Sequence, residues 1–296
     1  MSSDLHTHTS YSDGKMTPEE LVAAAKEARL RYIAITDHDT VDGVTHLYEE
    51  GLLPAKGIGI IPGIEFSAHH EKREIHILGY NVDIYRRDLL DRLNDVGEAR
   101  WSRFAEMVEK LQELGYGITE TDVLKVAGTS KSISRSHIGR ALVLKGCFSS
   151  VREAFDAVLS KGRPAYVSHY RLEPEEIVAL IKNAGGTPVL AHPKLVGDDA
   201  LVEHVLDLGI EGIEAFYPQH DTVDTQRYLG MAERRHLLVT GGSDFHGFAS
   251  RYPQELGIFT VEDSFAEKLY KPRMNLREVD FPFCKDFAGN SLALVS

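Results

Sequence analysis

Tyr32-Ile33-Ala34-Ile35-Thr36-Asp37-His38-Asp39 decides the fold. Residues 32–36 are nearly all apolar, as in a strand covered on both faces of a parallel sheet. The strand runs without a break into an acid, an imidazole and a second acid. Upstream, Asp4-Leu5-His6-Thr7-His8 repeats the theme, a short strand ending in histidines. Between the two lies Thr17-Pro18-Glu19-Glu20, with Thr17 as N-cap, Pro18 in the first turn and Glu20 closing a capping box. Leu21, Val22, Ala25 and Ala28 follow at helical spacing. Strand, helix, strand is the grammar of an α/β protein.

Working outward, a helix is expected at 41–50 and strands at 58–61 and 73–80. The pattern then changes. Residues 85–114 read as one or two long helices with Trp101, Phe104, Val108 and Leu111 along one face. Shorter helices follow at 120–126, 136–145 and 150–160, with no strand signal. Alternation resumes with helices at 174–184, 200–208 and 222–235 and strands at 187–191, 212–216, 237–240 and 257–260. The expected organisation is an α/β barrel built from 1–85 and 166–286, an all-helical insertion at 86–165, and a disordered tail at 287–296.

The chain has 296 residues, 43% hydrophobic and 26% charged, a globular balance near the size at which one core stops growing. No apolar run approaches the ~18 residues of a membrane span, and the N-terminus is polar, so membrane and secretory readings are set aside. Cys147 and Cys284 are too few for a disulfide framework or a thiolate zinc site. A cytoplasmic protein is expected. The net charge of −12 argues against coating of duplex DNA. No oligomeric state is legible.

Fourteen histidines stand out, yet about one His-x-His pair arises by chance at that frequency. Placement carries the argument. His6, His8, Asp13, His38, Glu65, His76, His192, Asp244 and His246 fall in or just after expected strands. In a barrel those ends share one face, where active sites are built. His46, His69, His70, His204 and His236 fall elsewhere and read as ordinary. Six imidazoles and three carboxylates exceed what one ion needs and suit two or three. Nitrogen and oxygen donors without thiolate suit Mn²⁺, Fe²⁺ or Zn²⁺ more than Mg²⁺ or Ca²⁺, and Mn²⁺ is the ion expected first. Individually each has a plainer reading: Asp39 or Thr40 as a helix cap, His76 as a core histidine.

The ordered set His6-Thr7-His8, Tyr11-Ser12-Asp13-Gly14, Thr36-Asp37-His38-Asp39, Gly63-Ile64-Glu65, Glu74-Ile75-His76, Ala191-His192-Pro193 and Ser243-Asp244-Phe245-His246 resembles the PHP (polymerase and histidinol phosphatase) family. It is most similar to bacterial members acting on nucleoside 3′,5′-bisphosphates and on the 5′ ends of short RNA. The resemblance spans the chain apart from the insertion. It implies a distorted (β/α)7 barrel, a helical insertion, and a trinuclear site with those nine residues as ligands. No position of the pattern is missing, which implies an active enzyme. Hydroxide bridging two metals would then attack phosphorus in line. Asp37, beside His38, is expected to orient a ligand or act as a cap.

Residues 125–163 hold eight basic side chains against two acidic, a basic lid facing an acidic barrel. Within it Ser134-Arg135-Ser136-His137 opens a helix, and Arg135 and His137 are expected to hold substrate phosphate, or Ser134 simply caps. Phe216-Tyr217-Pro218-Gln219-His220 resembles a family loop near the substrate. His220 is expected there with a binding or catalytic role, and Tyr217 as a base-stacking ring or a core aromatic. The expected activity is removal of the 3′-phosphate from nucleoside 3′,5′-bisphosphates. The alternatives are 5′→3′ exonuclease action on short 5′-phosphorylated RNA, histidinol-phosphate hydrolysis, and a non-catalytic metal-binding module.

Overall fold

The computed structural model describes residues 2–70, 73–168 and 172–271. The expected tail at 287–296 lies outside them. The chain opens with β1 (Ser2–Thr7), α1 (Pro18–Glu27) and β2 (Leu30–Ile35). The capping box forms: Glu20 N–H donates to Thr17 Oγ1 and Thr17 N–H to the Glu20 carboxylate, at 3.3 and 2.9 Å. Leu21, Val22 and Ala25 turn into the core.

After α2 (Asp42–Glu49) come β3 (Gly59–His70) and β4 (Arg73–Tyr80). β1, β2 and β3 are parallel. β4 runs antiparallel to β3 and also to β5 (Thr187–Leu190). This corrects the placement of Glu65, expected just after a strand, while His76 lies inside its strand. Glu65 and His76 sit inside a long hairpin, because the few residues joining β3 to β4 cannot make the crossover of a dozen or more that a parallel return requires.

The helical stretch comprises α3 (Arg87–Glu113), α4 (Glu120–Ala127), α5 (Arg135–Leu144) and α6 (Val151–Ala154), which passes into a π-helical turn, Phe155–Leu159. α3 is one helix serving two cores. Leu89, Leu93 and Val96 pack with the barrel, while Phe104, Met107, Val108 and Leu111 pack with Val123, Ile138 and Leu142 in a second cluster. Trp101 is a correction: it is 47% exposed, and Arg100 and Arg103 occupy the inward positions instead.

The barrel resumes with α7 (Pro174–Asn183), β5, α8 (Asp199–Asp207), β6 (Gly212–Phe216), α9 (Thr222–Arg235), β7 (Leu238–Gly241), β8 (Val261–Glu262) and α10 (Asp263–Leu269). The last strand, expected at 257–260, is two residues at Val261–Glu262. Gly257 adopts φ +87°, which breaks an extended run. The sheet order is β7-β6-β5-β4-β3-β2-β1-β8. The chain just beyond β7 returns to β1: Phe245 bridges Thr7, and His8 N–H donates to Phe245 O at 2.9 Å. β1 to β7 thus close a seven-stranded barrel distorted by the reversed β4, with β8 as a short addition to β1.

Gly242 makes that seam possible. A Cβ there would lie 2.3 Å from His6 Cβ and 2.4 Å from His6 N. Gly242→Ala is expected to destabilise the protein by about 1–3 kcal/mol, the usual cost of overpacking. A denaturation midpoint equal to that of the unaltered protein would disprove tight closure of the seam.

Candidate active site

Glu65, fully buried in β3, is the hub. Its Oε2 faces His6 Nε2 at 3.3 Å, His8 Nε2 at 3.3 Å and His38 Nδ1 at 3.0 Å. Its Oε1 faces His76 Nδ1 at 2.8 Å and His192 Nε2 at 3.0 Å. Asp13 and Asp244 form a second pole: His246 Nε2 is 3.0 Å from Asp13 Oδ1, and His8 Nε2 is 3.1 Å from Asp244 Oδ1. The barrel therefore brings all nine expected ligand side chains to one rim.

Seven atoms on these residues are buried without a hydrogen bond: His6 Nε2, His8 Nδ1 and Nε2, Asp13 Oδ1, His38 Nδ1, Glu65 Oε2 and His246 Nε2. Buried polar atoms are normally satisfied, so a cluster of exceptions calls for a partner. Their grouping says which. His8, Asp13, His38 and His246 converge; so do His6, His8, Glu65 and Asp244; so do His38, Glu65 and His76. Donor type and convergence fit divalent ions. Burial alone lowers the pKa of His8 and His76, yet the facing carboxylates outweigh it and raise them to about 9 and about 10. Each proton so held is one that a divalent cation displaces on binding.

Neighbours that the sequence reading passed over orient these ligands. Glu214 on β6 accepts from His6 Nδ1 at 3.0 Å and from His192 N at 2.8 Å, which turns His6 Nε2 toward Glu65. Asp4 accepts from Ser243 N at 2.9 Å and Ser243 Oγ at 2.5 Å, and burial raises its pKa to about 6. His246 Nδ1 meets Asp244 O at 2.7 Å, which leaves Nε2 for Asp13. Arg251 Nη2 donates to Asp244 Oδ2 at 2.6 Å. His192 and Asp244 both adopt positive φ, at 26° and 53°. Such backbone strain clusters at functional sites.

Asp37 does not touch His38's ring. Its carboxylate accepts from Thr9 N, Thr9 Oγ1 and Ser12 Oγ at 2.7, 2.6 and 2.6 Å. It braces the turn that carries Asp13. Nor does it cap α2, whose N-cap is Val41 without a side-chain bond; Asp39 is likewise engaged elsewhere, with Ser67 N at 3.0 Å and with Arg100.

A cleft of about 200 Å³ opens over Asp13, His38 and His76. Arg100 and Arg103 from α3, Arg135 from α5, Arg251 and Phe155 line it. Arg135 lies 3.3 Å from Glu74 Oε2, with its guanidinium 5.6 Å from the Phe155 ring centre. Arg103 was missed. Its side chain is buried, Nε donates to Val167 O at 2.9 Å, and it makes no ion pair among the described residues. Burial, then Arg135 and Arg100, push its pKa down to about 10.

His137 and His220 depart from expectation, and Tyr217 takes its core-aromatic alternative. His137 is not free for phosphate: it is 3% exposed, Nδ1 accepts from Ser134 N at 3.0 Å, and the side chain also bonds the Ser12 backbone. Burial lowers its pKa to about 4, so it is neutral and fully used in docking α5 to the barrel. Tyr217 is 4% exposed, leaving no ring face for a base; its hydroxyl donates to Asp244 Oδ2 at 3.0 Å. His220 stands outside the cleft, with Nδ1 donating to Ala215 O at 2.9 Å and its ring between Tyr217 and Tyr228.

The PHP domain model matches residues 4–188. The chain belongs to the PHP family. Among relatives of this PHP protein, the 5′-3′ exoribonuclease Rnm of Escherichia coli is 35% identical over 251 residues, covering 82% of this chain and 84% of its own. A 3′,5′-nucleoside bisphosphate phosphatase of Chromobacterium violaceum is 32% identical over 248 residues, covering 82% and 86%. A phosphoribosyl 1,2-cyclic phosphate 1,2-diphosphodiesterase of Eggerthella lenta is 30% identical over 256 residues, covering 86% and 97%. The solved structure of a protein described as a metal-dependent phosphoesterase from Bifidobacterium adolescentis superposes with TM-score 0.81 at 31% identity, covering 90% and 94%. This PHP protein is a phosphoric ester hydrolase, with a His/Asp/Glu cluster suited to divalent metals. No helix among the described residues is long and apolar enough to cross a membrane.

Proposed function

We propose that this PHP protein hydrolyses the P–O3′ bond of nucleoside 3′,5′-bisphosphates. One observation carries the reading: Arg103, a buried guanidinium without a carboxylate partner, stands on the cleft beside the ligand rim, next to Arg135, which Glu74 pairs, and Arg100, which Asp39 pairs. A single phosphate over the rim does not need the one charge left unspent there, that of Arg103. A second phosphate on the same substrate does. Arg103 and Arg135 hold the 5′-phosphate, and that grip places the 3′ ester over Asp13, His38 and His76.

Two or three divalent ions held by the nine ligands, Mn²⁺ by donor type with Fe²⁺ or Zn²⁺ as alternatives, would supply Lewis acidity and an activated water. Arg251 and the Tyr217 hydroxyl both bond Asp244 Oδ2, which keeps Oδ1 aimed at the rim. Asp37 holds the Asp13 turn rigid through Thr9 and Ser12.

The second reading, exonucleolytic cleavage of short 5′-phosphorylated RNA, breaks the same bond. Water oxygen joins phosphorus, the P–O3′ bond opens, and O3′ takes a proton. The products are a nucleoside 5′-phosphate and an RNA shortened by one, again with a 5′-phosphate.

The test is product release with Mn²⁺ from adenosine 3′,5′-bisphosphate, set against a 5′-phosphorylated trinucleotide, histidinol phosphate and a phosphoribosyl 1,2-cyclic phosphate. AMP and phosphate from the bisphosphate is the expected result; turnover of histidinol phosphate alone would refute it. Arg103→Ala and Arg135→Ala should each raise KM for the bisphosphate about ten- to a hundredfold, the value of a hydrogen bond to a charged group. Bound metal should not change. An unaltered KM in both variants would remove them from the substrate pocket.

A further inference from the structure

A larger cavity, about 820 Å³, lies across the start of α5 from the arginine cleft. Val126, Ala141, Val143, Leu144 and Phe248 give it an apolar floor. Leu144 is 78% exposed, an extreme for a leucine on a folded surface. Lys15, Lys125, Arg140 and Lys145 stand around that floor. The one acid in the lining, Asp122, is taken by Lys145 at 2.7 Å. Lys15 and Lys125 are exposed and make no ion pair among the described residues. Arg140 lies 4.3 Å from the Phe248 ring centre, and its Nη2 is buried without a hydrogen bond.

The two cavities abut along two separate stretches of chain. Asp13 lines the cleft, and Gly14 and Lys15 line the groove; Ser136 lines the cleft, and His137 lines the groove. Arg140 Nη1 bonds Asp13 O at 3.1 Å on the ridge between them. A chain leaving a phosphate over Asp13 would cross that ridge to reach the groove, whose lining begins at the next residue, Gly14.

We propose that this groove receives the nucleotides on the 3′ side of the scissile phosphate when the substrate is a single-stranded oligonucleotide. Bases lie on the apolar floor, and phosphates pass Lys15 and Lys125, while Arg140 is held against Phe248 and the Asp13 carbonyl. Unpaired cations alternating with apolar surface are what a single strand requires: charge for the backbone, flat apolar contact for bases of any sequence. An acidic peptide would use the cations and leave the floor uncovered. The inference rests on the P–O3′ cleavage proposed above, and extends it from mononucleotides to strands.

The test compares the Mn²⁺-loaded protein with its Lys15→Glu/Lys125→Glu and Leu144→Ser variants, all altered at exposed positions. Substrates are adenosine 3′,5′-bisphosphate and a 5′-phosphorylated RNA pentanucleotide, each assayed over a KCl series. For the double variant, kcat/KM on the pentanucleotide should fall at least about tenfold, and the slope of log kcat/KM against log salt should shrink by about 1.4, near 0.7 per lost cation. Leu144→Ser should lower pentanucleotide turnover alone. Bisphosphate turnover should stay within about twofold of the starting protein. Equal loss on both substrates, or none on the pentanucleotide, would overturn the groove. So would an unaltered protein that cleaves the bisphosphate and not the pentanucleotide, with the proposed activity left standing. Cleavage of the pentanucleotide with an inert bisphosphate would do the reverse. Inhibition by polyglutamate matching that by unphosphorylated RNA would assign the groove to an acidic peptide.

Discussion

Glu65→Ala is expected to lower turnover about a thousandfold or more and to strip most of the bound metal. The magnitude follows from the several kcal/mol that metal ions contribute to transition-state stabilisation, at 1.36 kcal/mol per factor of ten. Glu65 is singled out by geometry: it alone faces five imidazoles, His6, His8, His38, His76 and His192, all within 3.3 Å. Burial raises its pKa, but His38, His6 and His76 together hold it well below the usual carboxylate range. It is charged in the fold and sits where two of the three converging ligand groups meet. Folding should survive the change. Without Glu65, His6, His8 and His76 lose a main cause of their raised pKa values, and burial then favours the neutral form of each. Glu65→Gln, which keeps one acceptor oxygen, should fall between. Elemental analysis of the purified variant and phosphate release with added Mn²⁺ provide the check. Full activity with full metal content would dismiss Glu65 as the hub.

What the sequence reading could see, and what it could not, follows from the physics of each signal. The capping box at Thr17 and Glu20 is local, and the structure repeats it atom for atom. The parallel strands were legible because burial on both faces leaves a continuous apolar run. The β3–β4 hairpin was not: periodicity records exposure and not direction, so a reversed strand reads like a parallel one. That is why Glu65, expected just past a strand end, lies mid-hairpin beside His76 and still reaches the rim.

The cleft shows the same divide. Arg100 and Arg103 interrupt the inward stripe of α3, between Val96 and Met107, and a charged pair inside an apolar stripe was a readable signal. Glu214, an acid in the buried strand Gly212–Phe216, was another. Arg251 had none: it meets Asp244 through a loop whose course no local pattern specifies. His137 misled for a related reason. A histidine at the third position of a helix suits both an anion site and a capping box, and the bond to Ser134 N decides for the box.

The other large effect is expected at Asp39 and Arg100, where helix α3 is tied to the metal rim. Arg100 donates from Nε and Nη2 to Asp39 Oδ2, the first at 3.0 Å, and from Nη2 to Ser67 Oγ at 3.2 Å. Asp39 N–H in turn donates to Glu65 O at 2.9 Å, so the pair sits one backbone bond from the hub. Both side chains are buried, at 5% and 1% exposure. Asp39→Ala would leave a guanidinium unpaired in that interior, and removing one partner of a buried pair costs about 3–5 kcal/mol. Arg100→Met would take the charged partner from the carboxylate and leave it the Ser67 N–H, at a smaller cost. In Asp39→Ala/Arg100→Met neither charge remains, and the loss should be well below the sum of the singles. Denaturant midpoints of the three variants measure this directly. Strict additivity would mean the pair does not anchor α3. Coupling of the expected sign also makes the double variant a folded protein lacking one of the cleft arginines, so its KM for the bisphosphate reports whether Arg100 meets substrate or only holds the wall that does.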